Sequence, residues 1–281
     1  MGRIKKKEGD FLKQKKNGID AEAYNMIRAS IGFLAVDKPV HSLVVTSPMP
    51  QDGKSTIASN LAIFLAKAGK STLLIDADLR RPTLHEKFHI SKDAMGLSNA
   101  IVACSQSQSF SSGSFATSEP FRMSLSTYIH AVGIPNLHVM PAGALPPNPS
   151  ELLDSKATNT LLAAIMDSKI EMVIFDTAPL LGLADASILA SKVDGTVIVA
   201  DSTRAKRKHL QQTKVLLTQS GARILGCVVN KQNFNRRYMP YYYYSSEDEE
   251  QEKASSQNRK SSDSISSSSL IPQSGRKNKA K

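Results

Sequence analysis

Apolar residues fall into short runs of strand length at 42–46, 72–76, 136–141, 171–176, 195–200 and 223–230. Between most of these runs they recur with helical spacing, at 55–67, 155–168, 184–192 and 206–219. Runs such as Leu43-Val44-Val45 and Met172-Val173-Ile174-Phe175 do not alternate apolar with polar, so both faces of each strand are expected to be covered. Strands of that kind alternating with helices predict an α/β fold, a doubly wound and mostly parallel sheet with helices on both sides. The pattern opens with an amphipathic stretch near Ala21 and fades near 235, which bounds one domain at 21–235.

Outside those bounds the character changes. Residues 1–20 carry seven Lys/Arg against three acids and read as a flexible basic arm. Residues 236–281 carry nine against six, and their last part, from Ser245, holds twelve Ser and the acidic cluster Glu247-Asp248-Glu249-Glu250. With so few apolar residues that tail cannot offset its ordering entropy and is expected to be disordered. A Ser-rich piece at 105–118 reads as a loop insertion within the domain.

Overall composition, 41% hydrophobic and 22% charged, excludes a collagenous or wholly disordered chain. The net charge of +11 sits mostly at the two ends and leaves only +4 for 21–235, which argues against a nucleic-acid-binding face. No run approaches the roughly 18 to 20 apolar residues of a membrane span, and Met1–Lys7 lacks an apolar signal core, so a soluble cytoplasmic chain is expected. Cys104 and Cys227 stand apart from each other and from any His pattern, so they are expected to be buried, reduced thiols.

The sharpest chemical signal is Thr46-Ser47-Pro48-Met49-Pro50-Gln51-Asp52-Gly53-Lys54-Ser55-Thr56, which follows an apolar strand and opens an apolar-periodic helix. That is the context of a phosphate-binding loop. Gly53 lets backbone amides turn toward phosphate oxygens, Lys54 supplies a cation, Ser55 offers a hydroxyl to Mg²⁺, and the helix N-terminus adds partial positive charge. Pro48 stands where the standard motif has its first Gly, and alone the segment is also compatible with a turn and a helix cap. Two strand ends narrow the choice. Leu74-Ile75-Asp76-Ala77-Asp78-Leu79-Arg80 and Ile174-Phe175-Asp176-Thr177 place three acids where an open α/β sheet binds its ligand.

Together the loop with Pro50, the Asp76-x-Asp78-x-Arg80 stretch and the Asp176-x-x-Pro179 strand end resemble the bacterial protein-tyrosine kinases (BY-kinases) of the CpsD/CapB type. The resemblance extends over about 21–235, including Met140-Pro141-Ala142-Gly143, Pro146–Leu153 and Asp194-Gly195. It implies a P-loop NTPase fold of the deviant-Walker type, ATP and Mg²⁺ as cofactors, and transfer of the γ-phosphoryl group to tyrosine in the regulation of capsule or exopolysaccharide synthesis. Pro50, Gln51, Asp52, Gly53, Lys54, Ser55 and Thr56 would cradle the phosphates. Ser55, Asp76 and Asp176 would hold the metal. Asp78, or Asp76 in its place, would accept the tyrosine proton, Arg80 would steady the transferred phosphate or the acceptor, and Asn230 would contact adenine or simply end its strand. Five of the seven tyrosines, Tyr238, Tyr241, Tyr242, Tyr243 and Tyr244, lie where the fold ends, an unusual place for amphipathic rings. In the family such a cluster is the phosphoacceptor.

The resemblance also implies a membrane activator of the polysaccharide co-polymerase type, a cognate tyrosine phosphatase and self-assembly through 22–28. In that segment Asn25 stands where the family's Glu-x-x-Arg-x-x-Arg pattern has its first Arg, which weakens the expected oligomer contact. Gln51 replaces a frequent glycine and is expected to resist positive φ and weaken the cradle. Met49 replaces the early-loop Lys of partition-type ATPases. The basic arm suits peripheral contact with an anionic inner leaflet. A partition-type ATPase switch without kinase activity and a binding-only pseudokinase remain the alternatives.

Overall fold

The computed structural model describes residues 18–36, 38–108 and 125–232. The basic arm up to residue 17, residues 109–118 of the expected insertion, and the tyrosine cluster with its tail lie outside them. In chain order the elements are α1 (Gly18–Leu34), β1 (Ser42–Thr46), α2 (Lys54–Lys67), β2 (Thr72–Ala77), α3 (Leu84–Lys87), α4 (Leu97–Gln108), β3 (His130–Ala131), β4 (Leu137–Met140), α5 (Pro149–Asp154), α6 (Lys156–Met166), β5 (Met172–Thr177), α7 (Asp185–Ala190), β6 (Gly195–Asp201), α8 (Arg207–Gln219) and β7 (Ile224–Asn230). The first four residues of the 105–118 piece close helix α4 and are not loop.

The seven strands form one sheet in the order β3-β4-β2-β5-β1-β6-β7, parallel except for β3 against β4. Because strand side chains alternate between faces, neighbouring residues of the central strands feed two different cores. Val44, Leu73, Ile75, Val173 and Phe175 pack with α4, α6 and α7 on one face. Leu43, Val45, Leu74 and Ile174 pack with α1 and α2 on the other. Tyr24 pins α1 to α2, its ring stacked on Phe64 with centroids 5.1 Å apart and its hydroxyl accepting from Asn60 Nδ2.

Burial on both faces holds for β1, β2 and β5 but not for β7, the edge strand, where Val229 is exposed. Cys104 is buried in the core as expected. Cys227 is exposed, contrary to expectation, because it lies on β7, whose burial is only partial. Among the described residues no helix is long and apolar enough to cross a membrane.

Candidate active site

The parallel register sets the site. Asp76 and Asp176 are direct neighbours on β2 and β5, and Val45 pairs with Asp176 from β1, so the acids and the loop after β1 meet at the carboxyl ends of three adjacent strands. Reciprocal bonds from Thr46 Oγ1 to the Ala178 carbonyl and from Thr177 Oγ1 to the Val45 carbonyl, at 3.0 and 3.1 Å, lock those ends together.

Within the loop, Gly53 has φ +97° and caps α2 with its carbonyl, which accepts from Thr56 and Ile57 N–H. The amides before these have no partner inside the helix and carry its partial positive charge, the usual arrangement for an anion. Gln51 has φ +64°, so this non-glycine residue takes the left-handed conformation it was expected to resist. Cations on the outer side of the loop hold it there. Lys231 Nζ donates to the Gln51 carbonyl at 2.8 Å, and Arg204 Nη2 reaches the Pro50 carbonyl at 3.2 Å and Asp52 Oδ1 at 3.4 Å. Both cations are anchored on Asp201, which is 1% exposed and also accepts from the Thr203 N–H and hydroxyl. Lys231, Thr203 and Arg204 hold the Asp201 carboxyl far below the usual carboxylate range. Asn230 Nδ2 donates to the Asp52 carbonyl at 3.0 Å, so its amide is engaged with the loop backbone.

The buried Lys54 ammonium faces inward, 3.0 Å from Asp78 Oδ2, 3.8 Å from Asp176 Oδ1 and 3.3 Å from Ser55 Oγ. Burial pulls its pKa down, but Asp176 and Asp78 outweigh that and leave it raised. The three carboxylates differ in what surrounds them. Asp76 is committed to the chain: Oδ2 accepts from Thr83 and Leu84 N–H at 2.9 Å, and Oδ1 from Asp78 N–H. Asp176 is fully buried, and among the described residues neither of its oxygens has a hydrogen-bond partner, with the Lys54 ammonium 3.8 Å from Oδ1. Desolvation pushes both of these acids toward the protonated form, and their mutual repulsion raises Asp76 further. Asp78 is the one of the three that lines the adjoining cleft of about 810 Å³, with Lys54, Ser55, Thr56, Arg80, Arg81 and Lys87.

Two orphaned carboxylate oxygens beside a hydroxyl and an ammonium fit a hard cation bound with phosphate. One buried carboxylate beside a hydroxyl is the donor set that Mg²⁺ takes from a protein when phosphate oxygens and water supply the rest. Arg80 lines the same cleft and is held within the fold: Nε and Nη2 bind Asp185 at 2.7 and 3.2 Å, and Nη2 also donates to Ser150 Oγ, so the guanidinium ties the β2–α3 loop to α5 and α7.

Sequence reasoning missed Asp201, Arg204, Lys231 and Lys87, whose ammonium donates to Thr56 Oγ1 at 3.1 Å. A trace was readable in the i,i+3 Asp201/Arg204 spacing after a strand. Their convergence on the loop depends on strand order, which no local pattern carries.

A family model described as an AAA domain matches residues 52–219. The chain is 35% identical over 218 residues to tyrosine-protein kinase YwqD of Bacillus subtilis (strain 168), covering 78% of this chain and 84% of that one. It is 31% identical over 231 residues to the putative tyrosine-protein kinase CapB of Staphylococcus aureus, covering 82% and 92%. The solved chimerical protein CapA2B2 superposes with a TM-score of 0.67 at 33% identity, covering 80% of this chain and 90% of that one. A loop with converging strand-end acids, on a sequence aligned with 84% of YwqD and 92% of CapB, places this chain in the family of bacterial tyrosine-protein kinases.

Proposed function

We propose that this chain is an ATP-dependent protein-tyrosine autokinase that phosphorylates the cluster Tyr238, Tyr241, Tyr242, Tyr243 and Tyr244 and regulates capsule or exopolysaccharide production. The observation that carries the reading is the buried Lys54–Asp78–Asp176 group beneath the loop, in which one carboxylate faces the cleft and another, among the described residues, accepts no hydrogen bond. Phosphoryl transfer is mostly positioning and neutralisation of charge.

When bound, ATP supplies the γ-phosphoryl group and Mg²⁺ the divalent charge that offsets the phosphates. Lys54 and the amides opening α2 would bind the phosphate oxygens, while Ser55, Asp176 and Asp76 would hold the metal, the acids directly or through its waters. Asp76 orients the turn that carries Asp78. Asp78 takes the proton from the tyrosine hydroxyl, which its place on the cleft wall favours over Asp76. Pro50, Gln51, Asp52, Gly53 and Thr56 shape the cradle, and Asn230 supports it from below, beside any contact it makes with adenine. Arg80 positions the β2–α3 loop.

Division of the chain at 20 and 235, with arm and tail as accessory segments, belongs to the same reading, as does contact of the basic arm with an anionic inner leaflet. So do assembly through 22–28, a membrane activator of the co-polymerase type and an opposing tyrosine phosphatase. YwqD and CapB, by their names a kinase and a putative one, support the activity. Incubation with Mg²⁺ and γ-labelled ATP tests it. Label on tyrosine is the result expected of a kinase, whereas label released only as inorganic phosphate is that of an ATPase switch, and no turnover with retained nucleotide is that of a pseudokinase.

A further inference from the structure

Five cationic side chains line the candidate cleft, Lys54, Arg80, Arg81, Lys87 and Lys231, against the single carboxylate of Asp78. Three of the five are neutralised within the fold: Lys54 by Asp78, Arg80 by Asp185 and Lys231 by Asp201. Lys87 is half-buried against the Thr56 hydroxyl, and desolvation pulls its pKa down. Arg81 differs. Its backbone N–H donates to Asp78 Oδ1 at 3.0 Å, which fixes the residue beside the proposed proton acceptor. Its side chain is exposed and, among the described residues, has no hydrogen-bond or ion-pair partner. An unneutralised guanidinium at the mouth of a cleft that admits tyrosine is placed to read the charge of whatever carries the tyrosine.

The chain's own acceptor cluster is strongly polarised in charge. Arg236 and Arg237 precede it, and Glu247, Asp248, Glu249, Glu250 and Glu252 follow two serines after Tyr244, placing five of the chain's 25 acids within six residues. For a tyrosine held at Asp78, extended chain puts positions three to six residues further on within about 10–20 Å, the reach of a side chain on the cleft rim. Opposite charges aligned in this way give specificity and a faster encounter more than raw affinity.

We propose that Arg81, with Lys87 behind it, is a specificity residue that selects acceptor tyrosines followed by an acidic run. This inference rests on the kinase reading. The same chemistry would recognise the tail of a second copy or an acidic tyrosine segment of another protein.

The test uses the full chain with its five tail tyrosines changed to Phe. The probes are synthetic peptides of residues 238–252, one natural and one with the five acids changed to Gln or Asn. The natural peptide is expected to have a kcat/KM about five- to tenfold higher at low salt, the scale of several exposed ion pairs. That advantage shrinks as salt screens it. Arg81→Gln lowers the preference and Arg81→Glu abolishes it, both with KM for ATP unchanged. Equal phosphorylation of the two peptides by the wild-type cleft overturns the inference and leaves the kinase standing. So does an Arg81→Glu enzyme that keeps the preference but loses ATP affinity, which would make Arg81 a nucleotide contact. Phosphotyrosine on neither peptide defeats the kinase reading and this inference with it.

Discussion

Replacing Gly53 with Ala tests whether the loop conformation is built for nucleotide. Gly53 sits at φ +97°, and a Cβ placed there meets Asn230 Nδ2 at 2.0 Å. Holding an L-residue in the left-handed region costs about 1–2 kcal/mol. The Asn230 amide must also leave the Asp52 carbonyl, a further loss of about 1 kcal/mol. If the loop must regain its shape to bind, the sum of about 2–3 kcal/mol weakens nucleotide binding by about 30–150-fold, at 1.4 kcal/mol per tenfold. Asn230→Ala alone forfeits only the hydrogen bond and weakens binding by about fivefold. Because Gly53→Ala already breaks that bond, the double variant binds no more weakly than Gly53→Ala itself, a departure from additivity expected of contacting residues. Calorimetric titration with Mg²⁺-ATP reads the affinities, and far-ultraviolet dichroism checks that each variant is folded. Wild-type affinity in Gly53→Ala, or a double variant about fivefold weaker than Gly53→Ala, would show that Gly53 and Asn230 do not hold the loop in its nucleotide-binding shape.

The other predictions concern the acids. Asp176→Asn is expected to abolish phosphotransfer yet raise the melting temperature of the nucleotide-free protein. Its folded pKa is raised by burial, so the native state loses stability as pH rises above the ordinary carboxylate range, and the gain should be larger at pH 8 than at pH 4.5; an equal or opposite shift in thermal melts would contradict this. Asp78→Asn should lower kcat far more than nucleotide affinity, read by single-turnover transfer beside calorimetry, and loss of ATP binding instead would move Asp78 into the metal and phosphate shell. Asp201→Asn should raise KM for ATP and lower kcat together, by up to about 100-fold if the loop shifts by about an ångström, while unchanged kinetics would make the outer clamp a stability element alone.

The fold was largely legible because β1, β2 and β5 are buried on both faces, so their apolar runs are uninterrupted and their ends carry the acids. Thr177 extends β5 by only one residue past the expected end, and β1 matches its predicted bounds. Helix α4 was not legible in the sequence at all, and its last four residues read there as loop: Ser105-Gln106-Ser107-Gln108 has no apolar periodicity, and Ala100, Ile101 and Cys104 in the turns before it hold the helix to the core. Edge strand β7 reads as apolar as the central strands, and only its place in the sheet order exposes Cys227 and Val229.

At the site, residue types in the loop and at strand ends pointed to Lys54, Asp78 and Asp176 but not to how each side chain is held. Backbone amides occupy both oxygens of Asp76 but only Oδ1 of Asp78, whose Oδ2 faces Lys54. Asp76 is engaged by the turn to α3, and Arg80 by Asp185, 105 positions away. Gln51 argued against the loop when taken alone. Lys231 and Arg204, distant in sequence and both tied to Asp201, grip the loop in the conformation that Gln51 was expected to disfavour.

Mass spectrometry of the full chain after incubation with Mg²⁺-ATP, wild type beside Lys54→Met, reads tail autophosphorylation at its acceptors. Phosphate is expected on Tyr238 and Tyr241–Tyr244 in the wild type, and its loss in a Lys54→Met protein that keeps its fold by dichroism. Phosphate at those tyrosines at wild-type levels in Lys54→Met, or none in either protein, would contradict this expectation.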